Sequence, residues 1–221
     1  NAMLDLSKDM ERDVGNLAQT VSGRLSMATS HHIGLHRLAP VLQRFTQQYP
    51  EVELDIQFED SEVAHKLVRA GDIELAVVTL NPAGEQAQSD LETKTIWQDP
   101  LCFVNAKPLP EVASLSQLAT LPCILPGANT FTGRIVTERF ALEGLALKPA
   151  LSTNYLETIS MLVSVGVGWS VLPQTMVSEL QLLTPQCAPI TRSLGCVTHA
   201  KRTLSNSASA FLRVLSAYAS G

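Results

Sequence analysis

Positive charge is scarce in this sequence: 16 lysines and arginines stand against 21 acidic residues, a formal net charge of −5. Such a balance supplies no basic face for a phosphate backbone, so the chain by itself is not expected to bind DNA. Cysteine is sparse as well. The four residues Cys102, Cys123, Cys187 and Cys196 are scattered with no CxxC pair, and no leader is expected. Reduced thiols in a cytoplasmic protein are the simpler reading. No apolar run approaches the roughly 18 residues that a membrane span needs. No Gly-x-Ser-x-Gly elbow surrounds Ser30, which removes the usual frame of a serine nucleophile there. What is present is the composition of a globular chain: 45% apolar and 17% charged residues over 221 positions. That length suits one large domain or two lobes of roughly 100 residues each.

The hydrophobic pattern favours two lobes. Asn1-Ala2 before Met3 is set aside as a tag remnant. Leu4, Met10, Val14, Leu17 and Val21 then recur at helical spacings, an amphipathic helix that reads as the end of a longer linker. Leu25 and Met27 alternate with Ser26 and Ala28 as a strand. Leu38, Leu42, Phe45 and Tyr49 form the stripe of a helix ending at Pro50. Val52, Leu54, Ile56 and Phe58 alternate as a second strand, and Val63, Leu67 and Val68 mark a helix stopped by Gly71. The run from Glu74 to Leu80 has the unbroken apolar character of a strand buried in a parallel sheet. Strand, helix, strand, helix, strand is a doubly wound unit. After Asp99–Pro110 a similar series begins again, with helices over 131–144 and around Ile159–Val163 and a strand at 169–173. A last strand near Leu194–Ala200 and a helix carrying Ala208, Phe211, Leu215 and Tyr218 return to the first lobe. The expected fold is therefore α/β, two doubly wound lobes joined by two crossover strands. Residues 23–103 and 197–221 make lobe I, 104–196 make lobe II, and 1–22 hold the tag remnant and linker. Two crossings make a hinge with a cleft for a ligand.

The chemistry-bearing residues cluster at strand ends. In "MATSHHIGLH" (Met27–His36), His32 and His36 lie four apart on a predicted helix. They lack the neighbouring glutamate and third ligand of a metalloprotease helix, so no metal is expected. Ser30 beside His31 is a poor nucleophile–base pair, because adjacent residues rarely bring a base onto the hydroxyl. Thr29 or Ser30 instead caps the helix. A helix start at the end of a parallel strand exposes amides and the positive end of the dipole, which suits an anion. The second lobe repeats the arrangement: Asn129 or Thr130 caps the helix that begins at Phe131, and Thr132 lies in its first turn. Thr79 closes the buried strand. Hydroxyls at three strand ends are expected to face one crevice, with no catalytic residue and no cofactor.

Taken in order, Gly23–Ile56, Val68–Val78, Phe131–Arg134, Met161–Pro173 and Ser205–Leu215 resemble the effector-binding domain of LysR-type transcriptional regulators. The resemblance covers nearly the whole chain. It implies a periplasmic-binding-protein type II-like fold and a cytoplasmic regulator that senses a small metabolite. It also implies a homodimer (a tetramer when full-length) that meets DNA only through an N-terminal winged helix-turn-helix absent here. The regulators of cysteine biosynthesis, which share the stretch Phe131–Arg134, hold an anion at the positions of Ser30, His32, Thr79 and Thr132. That branch has threonine where this chain has His32, which points away from sulfate toward a larger acid whose apolar body could pack on Phe131. The candidate ligand set is thus Ser30, His31, His32, Thr79, Thr130, Phe131 and Thr132, for a carboxylate or inorganic anion. The alternative is a solute-binding protein of a transport system.

Overall fold

The computed structural model describes residues 20–84, 90–109 and 111–219. The predicted linker helix over 4–20 lies outside them, apart from its final residue. The chain divides into two units, one running to Trp97 and resuming at Leu194, the other spanning Gln98–Ser193. Two strands pass from one unit to the other, β4 (Leu91–Asn105) and β9 (Ile190–His199).

In the first unit, β1 (Gly23–Thr29) lies between β2 (Val52–Phe58) and β3 (Leu75–Thr79), parallel to both, and β9 joins β3 antiparallel. Alternation along β1 and β3 sends side chains to two cores. Leu25, Met27, Leu75 and Val77 meet Phe45 and Phe211 on one face, and Ala28, Ala76 and Val78 meet Ala64 and Val68 on the other. Every residue of β3 is buried, as its unbroken apolar run requires.

The helix after β1 is not uniform. It opens as α1 (His31–Ile33), widens into a π-helical segment (Gly34–Leu38) and resumes as α2 (Ala39–Gln48). Pro40 accounts for the widening: it cannot donate to the carbonyl four residues back, at His36, and its ring crowds that carbonyl. On the opposite face α3 (Ser61–Ala70) ends where Gly71 turns left-handed (φ 76°) and donates to Leu67 and Val68. A β-carbon there would fall 1.8 Å from the Arg202 guanidinium. The closing helix α7 (Asn206–Ala219) packs Phe211 edge-on against Phe45, with ring centroids 5.4 Å apart.

The second unit pairs the end of β4 with β7 (Ser170–Pro173) and β8 (Gln181–Leu183), both antiparallel. A two-stranded parallel pair, β5 (Ile124–Leu125) and β6 (Leu151–Ser152), lies nearby, joined toward β7 by the Cys123–Trp169 bridge. Buried Trp169 stacks on Phe140 and donates its indole N–H to Leu118 at 2.9 Å. Among the described residues three α-helices cover this unit: α4 (Leu115–Ala119), with a Ser114/Gln117 capping box, α5 (Phe131–Ala141) and α6 (Leu156–Ser164). All four cysteines are free thiols; burial pushes Cys123 up to about 11 and Cys196 up to about 12, so neither forms a thiolate near neutrality. Among the described residues no helix is long and apolar enough to cross a membrane.

Candidate functional site

In the first unit the strand order β2-β1-β3 sets the site. The chain leaves β1 toward β2 on one face and reaches β3 by a helix on the other, so β1 and β3 flank the point where winding reverses. Ligands of open α/β sheets collect at the carboxyl ends of strands beside such a point. Ser30 follows β1 there, and Thr79 ends β3.

The expected cap at this helix start is not made. Thr29 points its hydroxyl at the Val77 carbonyl (2.8 Å) across the parallel register Thr29↔Val77, tying β1 to β3. Ser30 occupies the N-cap position with extended backbone, yet its side chain caps nothing, and Gly34 closes the first turn on the Ser30 carbonyl. Nor does the Thr79 hydroxyl bond to another described residue, although it is 97% buried, whereas its backbone N–H reaches Ser61 Oγ at 3.1 Å. Ser61, at the first position of α3, was not foreseen as part of this face. Nothing in the sequence "EDSEV" separates it from an ordinary helix-start serine.

The two histidines have different surroundings. His31 is exposed and meets Phe58 edge-on at 5.7 Å, in the space that Gly34 leaves by lacking a β-carbon. His32 is buried, its ring 4.7 Å from that of His36. The four-residue spacing thus brings the two rings together on one helix face, tilted 37° to each other.

In the second unit the helix start is closed by its own residues. Thr130 caps α5 by accepting from Gly133 N at 3.0 Å and gives its proton to the Gly127 carbonyl at 2.7 Å. Thr130, not Asn129, is therefore the cap, and its hydroxyl is fully engaged. Gly133 permits this close turn, since a β-carbon would lie 2.2 Å from the Gly127 carbonyl oxygen. Phe131 is buried beneath Arg134, whose guanidinium carbon stands 4.8 Å over the ring.

Thr132 is different. Its oxygen accepts Arg192 Nη1 at 3.0 Å, and Arg192 Nε reaches Asp99 Oδ2 at 2.8 Å. Both ion-pair side chains are almost wholly buried, at 4% and 1% exposed. Sequence reasoning missed this pair, because Arg192 precedes an apolar strand and Asp99 precedes Pro100, both ordinary places for a solvated charge.

Comparison with known proteins agrees with this architecture. The model of the LysR substrate binding domain family matches residues 18–220. The uncharacterized HTH-type transcriptional regulator YraN of Bacillus subtilis is 25% identical over 179 residues, 80% of this chain and 58% of the relative. The chain thus spans little more than half the length of that curated relative. Among solved structures, the regulatory domain of CcmR from Synechocystis PCC6803, in complex with 2-PG, superposes with a TM-score of 0.78 at 23% identity, covering 90% of this chain and 98% of that one. The effector binding domain of QuiR in complex with shikimate gives the same score and coverage at 16% identity. These likenesses show the fold, which is the periplasmic-binding-protein type II-like one expected. The match across nearly all of the chain favours a regulatory domain over a transport protein or an enzyme. This chain belongs to the LysR substrate binding domain family: it is the effector-binding domain of a LysR-type transcriptional regulator.

Proposed function

We propose that the domain senses a small organic acid, with Ser30, Thr79 and the first amides of α1 in the first unit, and Thr132 in the second, as its ligand groups. The observation that carries this reading is the first helix start. It stands at the winding-reversal point with no side-chain cap, next to the hydroxyls of Ser30 and Thr79. A carboxylate oxygen would take the place of the missing cap, and the helix dipole favours its charge. His31 and Phe58 border this position, which suits an acid with an apolar or cyclic body better than a bare inorganic ion. The two relatives named above were solved with 2-PG and with shikimate, both acids, which supports the class without naming the compound.

Binding would favour one conformational state of the domain and so bias the DNA-binding head of the full-length cytoplasmic regulator. The test is a thermal-shift screen of shikimate, benzoate, 2-PG and sulfate. An acid at about 100 times its Kd stabilises the fold by ~2.7 kcal/mol. In a domain of this size that is a rise of roughly 5–10 °C in Tm. Ser30→Ala is expected to weaken binding about tenfold or more, through loss of a hydrogen bond to a charged group. A screen in which neutral analogues alone raise Tm would sink the reading.

A further inference from the structure

The organic-acid reading leaves the histidine pair of the first unit unused. His32 is buried in α1, and His36 is exposed on the π-helical segment that follows. Four residues of an α-helix overshoot a full turn by about 40°. A π-helical segment turns less per residue, so the widening before Pro40 brings His36 closer to the line of His32. Their ring centres stand 4.7 Å apart, with the planes tilted 37°. The adjacent His31 is turned elsewhere, edge-on to Phe58.

This spacing suits two ligands of one ion. Zinc sits about 2.0–2.1 Å from an imidazole nitrogen, hence about 3.2 Å from the ring centre. Ring centres 4.7 Å apart then subtend roughly 95° at the ion. That angle falls between the octahedral ~90° and the tetrahedral ~109°. One ring nitrogen of His32 lies within 4.8 Å of one of His36. Small side-chain rotations close this to the ~3 Å that nitrogens on a shared ion require. Exposure of His36 gives the ion a way in, while burial of His32 shields the other ligand from water.

We propose that His32 and His36 form a two-nitrogen site for a divalent transition-metal ion of the imidazole-binding class, such as Zn2+ or Cu2+. Water completes the coordination. The missing glutamate and third protein ligand exclude a hydrolytic zinc helix, but a two-nitrogen chelate needs neither. The bound ion ties α1 to the π-helical segment and so fixes the turn that follows Ser30. This site is independent of the organic-acid reading.

The experiment is calorimetric titration of the tag-free, chelator-treated chain with Zn2+, Cu2+ and Mg2+, with pulsed electron paramagnetic resonance of the Cu2+ form. The proteins are wild type, His36→Ala, His32→Ala and His199→Ala, each checked for folding by circular dichroism. Wild type is expected to bind Zn2+ with a Kd on the order of 1–100 μM and to ignore Mg2+, which prefers oxygen ligands. His36→Ala, at an exposed position, should weaken Zn2+ by at least about tenfold, since even an outer-shell partner is worth that much. His32→Ala should do the same, and His199→Ala should bind as wild type does. The Cu2+ spectrum should report two imidazoles in wild type and one in His36→Ala. Wild-type binding no tighter than about 1 mM would overturn the proposal. So would undiminished affinity in His36→Ala, a single imidazole in wild type, or Mg2+ binding as tightly as Zn2+.

Discussion

Two threonines two residues apart show how little residue type decides. Thr130 and Thr132 share a helix start, and both are buried. One spends its hydroxyl on the backbone of its own turn, the other on a side chain distant in sequence. Their substitutions should therefore separate. Thr130→Val removes a cap and is expected to cost roughly 1 kcal/mol of stability with a smaller direct effect on effector affinity. Thr132→Val should lower affinity for an acid by about 10- to 150-fold. Urea denaturation alongside titration distinguishes them; equal affinity losses in both would contradict the assignment of roles. The sequence marked both positions correctly as belonging to a helix start. It could not say which hydroxyl was engaged, because the deciding partner, Arg192, is 60 residues away.

At the scale of elements, helix ends are held by contacts that periodicity does not reveal. Glu74 sits at the start of the buried strand run yet is 93% buried, and it reads from sequence as the polar end of an apolar segment. Its carboxylate accepts from Ser205 Oγ at 2.7 Å and Ser205 N at 3.2 Å, just before α7 begins. Ser205 Oγ in turn accepts Ala208 N at 3.1 Å, so the first turn of α7 is anchored to β3 through Glu74. An acidic group beside a helix N-terminus is also favoured by the dipole. Glu74→Ala should lower the unfolding free energy by about 1–3 kcal/mol, read as a lower urea midpoint at unchanged slope. An unchanged midpoint would mean that α7 is held by Phe211 and its apolar neighbours alone. The π-helical segment belongs to the same scale. The sequence forecast a helix through this region, but its widening before Pro40 follows from backbone geometry rather than hydrophobic spacing.

For the whole molecule, assembly is the open proposition. A homodimer is expected, with the side-by-side antiparallel pairing that the family resemblance implies. Apolar residues exposed on each unit give it a physical basis: Leu35 and Phe58 on the first, Met161, Val165 and Val167 on the second. From sequence, the helix face carrying Leu38 and Leu42, together with Val52, would also be expected to offer apolar surface for pairing, but Leu38 is fully buried in the core that includes α7, and Leu42 and Val52 are half-buried against it. β2 stands at the end of the strand order, so among the described residues one of its edges pairs with no strand. Sedimentation equilibrium of the domain should show a dimer, weakened by Val165→Glu. A monomer persisting at high micromolar concentration would overturn the expectation.

The sequence alone determined the alternation of strands and helices, the buried character of β3 and the strand ends that carry hydroxyls. Each is a local property, written in a period of two or near four or in a residue adjacent to a turn. The tertiary structure decided what those hydroxyls do. It turned Thr29 onto Val77, left Ser30 without a cap to make, and brought Asp99 and Arg192 from opposite ends of the second unit onto Thr132. Charged residues beside apolar strands look alike in sequence whether they end in water or in a buried pair. Only the pairing of distant strands distinguishes them, because burial and hydrogen-bond partners depend on what the fold brings near.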